Sequence, residues 1–229
     1  MLIKTNIDQI YGKIAQAAST CGRDPKKITL IGVSKRKPVS LINQAIEAGH
    51  KDFGENYIQE AMGKIDILGK ENLCWHFIGH LQSNKAKFAV KYFDLIHTVD
   101  KLKLAREISK QAAKINKVQN ILLQINIADE KTKSGADQAQ VIELAEQISQ
   151  LDHVCVQGLM CMPPFFDNPE KARGYFRAVK EISLKIEKLN LASVFMNHLS
   201  MGMSNDFPVA IEEGATMVRV GTAIFGGRD

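Results

Sequence analysis

Long apolar runs are absent from this 229-residue chain, so no membrane span is expected. The amino terminus, Met1-Leu2-Ile3-Lys4-Thr5-Asn6-Ile7-Asp8, has no apolar core and no small-residue cleavage site. No secretory signal is expected, and a cytoplasmic location is. Cysteine is sparse: Cys21, Cys74, Cys155 and Cys161 form no C-x-x-C pair and sit in apolar segments. They read as reduced core residues rather than a disulfide frame or a zinc site, and no metal site is expected. The G-x-G-x-x-G signature of dinucleotide binding is missing. No linker, low-complexity tract or charge block interrupts the chain, so one domain over 1–229 is expected. Aromatics make up 7% and are not interleaved with a basic cluster. The net charge of +5 therefore reads as solvated helix faces, and no nucleic-acid partner is expected. A basic balance also suits an anionic ligand such as a phosphate.

What is present is a rhythm. Ile3, Ile7, Ile10, Ile14, Ala17 and Cys21 recur at spacings of three and four, the apolar stripe of a helix over 3–21. Short β-rich runs follow at 28–35, 50–55, 75–79, 95–99, 121–126, 154–162, 194–199 and 217–225. Helical patterns separate them: 41–48 capped by Ser40, 57–68 stopped by Gly69, and one after Ser83. Further ones run over 101–116 capped by Asp100, 137–150, from Asn168-Pro169-Glu170 to 188, and a short one from Ser204 or Asn205. Alternation of this kind implies βαβ units on a parallel sheet. Eight such units and an extra N-terminal helix predict a single (β/α)8 TIM barrel; an open doubly wound sheet is the competing fold.

Such a barrel carries its active face at the carboxyl ends of its strands. Lys35 ends the first run and shares a strand face with Ile31 and Val33. If that face points inward, burial favours the neutral amine that a Schiff base requires. Otherwise Lys35-Arg36-Lys37 is a basic loop. The Ser200-Met201-Gly202-Met203-Ser204 loop and Gly221-Thr222 offer close backbone approach where this fold commonly binds phosphate; a plain turn with a capping serine is the alternative. Arg219 shares a face with Met217 and Gly221. Inside a barrel mouth it needs an acceptor: a carboxylate such as Glu55 or Asp100, or a ring nitrogen of a bound cofactor. Lysine, phosphate cup and arginine together describe pyridoxal 5′-phosphate (PLP).

The chain also carries Val33-Ser34-Lys35, Phe53-Gly54-Glu55-Asn56-Tyr57, Trp75-His76-Phe77-Ile78-Gly79 and Leu81-Gln82-Ser83-Asn84-Lys85. Then come Lys133-Ser134-Gly135, Gly158-Leu159-Met160, Ser200 to Ser204 with Asp206, and Met217 to Gly226. In this order they closely resemble the YggS/PROSC family of pyridoxal phosphate homeostasis proteins. The resemblance implies a barrel similar to the N-terminal domain of alanine racemase, with PLP as an internal aldimine on Lys35. It also implies phosphate contacts from the Ser200 region, with Met201, and from Gly221 and Thr222. Arg219 then faces the pyridine nitrogen, and Asn56 and His76 line the cofactor cavity. His80, and Asn197-His198 before Ser200, depart from the family pattern.

The family is thought to carry or buffer PLP within vitamin B6 balance, without an established reaction. A PLP-dependent amino-acid racemase is the alternative. Two-base racemisation needs an acid/base on each face of the α-carbon. Alanine racemases take the second from a C-terminal β domain, expected to be lacking here. Tyr57 is the sole tyrosine near a strand end. No catalytic activity is therefore expected. A monomer is expected, with PLP-dependent apoenzymes as possible recipients.

Overall fold

The computed structural model describes residues 2–128 and 135–227. Eight parallel strands close into a barrel in sequence order, β1 pairing with both β2 and β8. They are β1 (Thr29–Val33), β2 (Asp52–Glu55), β3 (Cys74–Phe77), β4 (Leu95–Val99), β5 (Gln119–Ile125), β6 (Val154–Cys161), β7 (Val194–Met203) and β8 (Met217–Val220). The helices around them are α1 (Leu2–Thr20), α2 (Val39–Glu47), α3 (Ile58–Leu68), α4 (Ala86–Tyr92), α5 (Leu102–Ala113), α6 (Val141–Ile148), α7 (Arg173–Glu187), α8 (Phe207–Glu212) and α9 (Thr222–Phe225).

Amphipathic stripes explain the packing. Ile3, Ile7, Ile10 and Ile14 bury one face of α1 against α2, α8 and α9. On β3, Trp75 and Phe77 turn outward into the large core between strands and helices, while His76 turns inward. The barrel interior holds a small apolar cluster of Ile31, Leu95, Leu122, Met160 and Met217. Above it lies a polar layer.

The expected caps and ends differ in detail. Ser40 lies inside α2, which starts after Pro38. Ser83 begins a 3-10 turn ahead of α4 without capping it. Asp100 does not cap α5; its carboxylate accepts from the Gly135 N–H at 3.3 Å. α8 opens at Asp206, whose carboxylate accepts from the Met203 N–H at 2.6 Å. The last strand ends at Val220, because the Gly221 carbonyl accepts from Ile224 and Phe225 and starts α9. Cys161 is a core cysteine as expected, whereas Cys21 is exposed at the end of α1. All four cysteines are free. Lys133 and Ser134 lie outside the described residues. Gly135 folds against Asn126, where a Cβ would meet the Asn126 nitrogen at 2.4 Å. Among the described residues no helix is long and apolar enough to cross a membrane.

Candidate functional site

The carboxyl-terminal mouth holds a cavity of about 180 Å³ at the seam between β1 and β8. Lys35, Asn56, Arg219, Gly221 and Thr222 line it together with Val33, Ile78, Met162, Met203 and Ser204. Five of the sequence-predicted site residues therefore meet. Three do not reach its wall. Met201 is wholly buried in the core. His76 lies deeper in the barrel, bonded to His97 and Asp52. Ser200 is enclosed under Arg219, which donates to its carbonyl at 2.6 Å and its hydroxyl at 2.7 Å. The expected loop from Ser200 is instead the end of β7, and the register between β7 and β8 shifts between Ser200 and Met203, so the last strand residue, Met203, and Ser204 after it face the cavity.

The turn bearing Lys35 is clamped by buried charge. Lys64 of α3 donates to the Ser34 carbonyl at 2.7 Å, to Glu55 at 2.7 Å and to Glu60 at 2.6 Å. The Ser34 hydroxyl donates to the same Glu55 oxygen at 2.7 Å. The Arg36 N–H donates to Glu60, and Arg36 takes a left-handed φ of 59°. Burial pushes the Glu55 carboxyl up, against the pull of Lys64 and Ser34. Sequence reading missed this clamp; the one signal was a lysine four residues after Glu60 on the buried stripe of α3.

Arg219 is 4% exposed and points inward from β8. Besides Ser200 it donates to the Cys161 carbonyl at 2.8 Å. Among the described residues no carboxylate pairs with it: Glu55 is taken by Lys64 and Asp100 by Gly135. Its hydrogen-bond partners are neutral acceptors, and the Asp206 carboxylate at the start of α8 attracts it electrostatically without forming an ion pair. Burial lowers its pKa, but a guanidinium remains charged at neutral pH.

A hydrogen-bonded chain runs down the barrel from this group. Ser200 Oγ lies 3.0 Å from His97 Nδ1, His97 Nε2 lies 3.0 Å from His76 Nδ1, and His76 Nε2 lies 3.1 Å from Asp52 Oδ1. Arginine only donates and a carboxylate only accepts. The two ends thus assign the protons between them: Ser200 donates to His97, His97 to His76, and His76 to Asp52. Burial, with the nearby Arg219 charge, holds His97 well below the usual histidine range and neutral. Beside Asp52, burial and the carboxylate push the Cys74 thiol up to about 12.

Asn56 completes the wall. Its Oδ1 is buried and has no hydrogen-bond partner among the described residues. Gly79 packs so closely that a Cβ there would fall 2.1 Å from the Asn56 carbonyl oxygen. A second hollow of about 240 Å³ shares Asn56, Ile78 and Met162 and adds His80, Thr98 and Asn126. Tyr57 does not line the Lys35 cavity; it is exposed, with the Arg36 guanidinium 5.6 Å from its ring centre.

The description "Alanine racemase, N-terminal domain" matches residues 6–229. The pyridoxal phosphate homeostasis protein of Escherichia coli K12 is 44% identical over 230 residues, spanning 99% of this chain and 97% of that protein. Its namesake from Aquifex aeolicus is 42% identical over 222 residues, spanning 97% and 96%. The structure of PipY from Synechococcus elongatus PCC7942 with PLP bound aligns with a TM-score of 0.82 at 37% identity, covering 93% of this chain and all of that one. An alanine racemase of Clostridium difficile 630 shares the fold at a TM-score of 0.76 and 14% identity, and this chain covers 56% of it.

Proposed function

The chain belongs to the family of pyridoxal phosphate homeostasis proteins, built on the alanine racemase N-terminal domain, and from that premise we propose that it holds PLP reversibly on Lys35. It acts as a single-domain, monomeric carrier or buffer of that cofactor in the cytoplasm and passes it to PLP-dependent apoenzymes. One observation carries the reading. A single cavity joins the Lys35 amine, a buried guanidinium without a carboxylate partner, and the unsatisfied Asn56 oxygen.

The residues present fit the group. Pyridoxal 5′-phosphate supplies an electrophilic aldehyde on an electron-withdrawing ring. Lys35 offers the amine that captures an aldehyde. Asn56 Oδ1, buried without a partner among the described residues, would accept from a hydroxyl on the ring. Arg219 would donate to the ring nitrogen and, staying charged, would leave that nitrogen unprotonated, making the ring a weaker electron sink. Ser204, Gly221 and Thr222, on the same cavity wall, would hold the phosphate. A side chain at Gly221 would press on the cavity wall, 3.2 Å from the Val33 carbonyl oxygen. Ser200 and Met201 support this wall from beneath, and His76 acts on Arg219 through His97 and Ser200.

The carrier reading is favoured over a racemase because two-base chemistry needs a second proton-transfer group opposite Lys35. Among the described residues lining the cavity, Lys35 is the only base suited to that task. The purified protein is expected to show the visible absorption band of a Schiff base, lost in Lys35→Ala. A band that survives in that variant refutes the assignment. Incubation of the cofactor-loaded protein with single amino-acid enantiomers, followed by chiral chromatography, tests the carrier role. Turnover on the order of 1 per second would overturn it.

A further inference from the structure

The end of the barrel opposite Lys35 has a chemistry of its own. Asp52 opens β2 and Cys74 opens β3, and the two are paired in register. His76 follows Cys74 by two residues, so both project from the same face of β3. One ligand atom from each of Asp52, Cys74 and His76 lies within 4.8 Å of the others. Carboxylate oxygen, thiolate sulfur and imidazole nitrogen form the donor set of a borderline-soft divalent ion.

We propose that Asp52, Cys74 and His76 form a binding site for a transition-metal ion of the zinc class at the amino-terminal end of the barrel, with a fourth coordination position left for water.

The geometry is close to what such an ion needs. Bonds of about 2.0–2.3 Å place neighbouring donors of a tetrahedron roughly 3.3–3.8 Å apart. His76 Nε2 and Asp52 Oδ1 already stand 3.1 Å apart. With every donor pair no more than 4.8 Å apart, at most about an ångström of contraction reaches that range. Entry is open, because the Asp52 side chain is 31% exposed while His76 is fixed inside.

The surroundings also suit a metal-bound imidazole, which needs its other ring nitrogen held by a partner. His97, wholly buried, stands 3.0 Å from His76 Nδ1. The ion takes the place of the proton on His76 Nε2. His76 then carries its proton on Nδ1 and donates it to His97 Nε2, and His97 donates from Nδ1 to Ser200 Oγ, whose hydroxyl turns its own hydrogen away from His97 and accepts from both His97 and Arg219. The two rings keep their proton count. The Cys74 thiol gives its proton to solvent, one per ion bound. The carboxylate and thiolate together neutralise the dication.

Cobalt(II) added to the full-length protein under reducing conditions reads the site directly. The expected result is a thiolate-to-cobalt charge-transfer band in the near ultraviolet that saturates at one equivalent and is erased by zinc. Zinc should also raise the melting temperature. Cys74→Ser should abolish the band, while the double change Cys21→Ser and Cys155→Ser leaves it. A missing band, or one that survives Cys74→Ser, overturns the site. Should Cys74→Ser fail to fold, Asp52→Asn and His76→Gln decide: each should weaken cobalt binding at least about tenfold, and unchanged affinity in both overturns the proposal.

Discussion

Replacing Lys64 with methionine removes the charge that clamps the Lys35 turn while keeping most of its volume. The Lys64 side chain is 7% exposed and that of Glu55 wholly buried, with nitrogen and oxygen 2.7 Å apart. At an effective dielectric near 20 their attraction is about 6 kcal/mol, offset by the cost of burying the ammonium. Removing one partner of such a pair costs about 3–5 kcal/mol, since the other charge stays buried. Unfolding entropy near 2.1 cal/mol/K per residue over 229 residues converts this to a melting-point loss of about 6–10 °C. The deficit has a pH signature. Burial already raises Glu55, and without Lys64 it rises further. A carboxyl raised above its unfolded value gains stability when protonated, so the deficit shrinks as pH falls below that raised value and grows as pH climbs through it. Differential scanning calorimetry at pH 5 and 7.5 measures both effects. Glu55→Gln added to Lys64→Met should restore most of the loss. A melting point within about 2 °C of wild type, or a deficit equal at both pH values, would refute the reasoning.

Three further outcomes are expected. Arg219→Lys should not rescue what Arg219→Gln loses, because one ammonium cannot span Ser200 and the Cys161 carbonyl; PLP titration should give weaker binding or a shifted absorption band in both. Gly79→Ala should lose about 3 kcal/mol of stability or more, or fail to accumulate, since its Cβ lands on the backbone of Asn56; a soluble variant with unchanged cofactor affinity contradicts the packing. Asn56→Ala should weaken PLP binding by about 0.5–1.5 kcal/mol, one hydrogen bond's worth, with little change in melting temperature of the cofactor-free protein.

The barrel was legible because period-two runs and period-3.6 stripes alternate without a break, and Lys35, Arg219 and Gly221 were legible from strand alternation at the carboxyl ends. Other features were hidden for physical reasons. Lys64 reads as a solvated charge until α3 is seen to bury it. Every residue of β4 is buried, so alternation does not single out His97 as the interior link. The register shift in β7 moves the cavity wall from Ser200 to Ser204, a displacement that no local pattern encodes. Asp52 and Cys74 meet only through strand pairing, so the absence of C-x-x-C spacing said nothing about them.

The site straddles the seam where the first and last strands join: Lys35 follows β1, while Arg219, Gly221 and Thr222 come from β8 and the start of α9. The same seam is tied outside the barrel, where Asn6 of α1 donates to the Ile224 carbonyl at 2.9 Å. Such contacts have the greatest sequence separation the chain offers and are the slowest to form. A nascent chain therefore has no cofactor site until its final strand has emerged and the ring has closed. PLP held at this seam would link residues at the first and last strands and would stabilise the closed ring by mass action, so its uptake would mark the completion of folding.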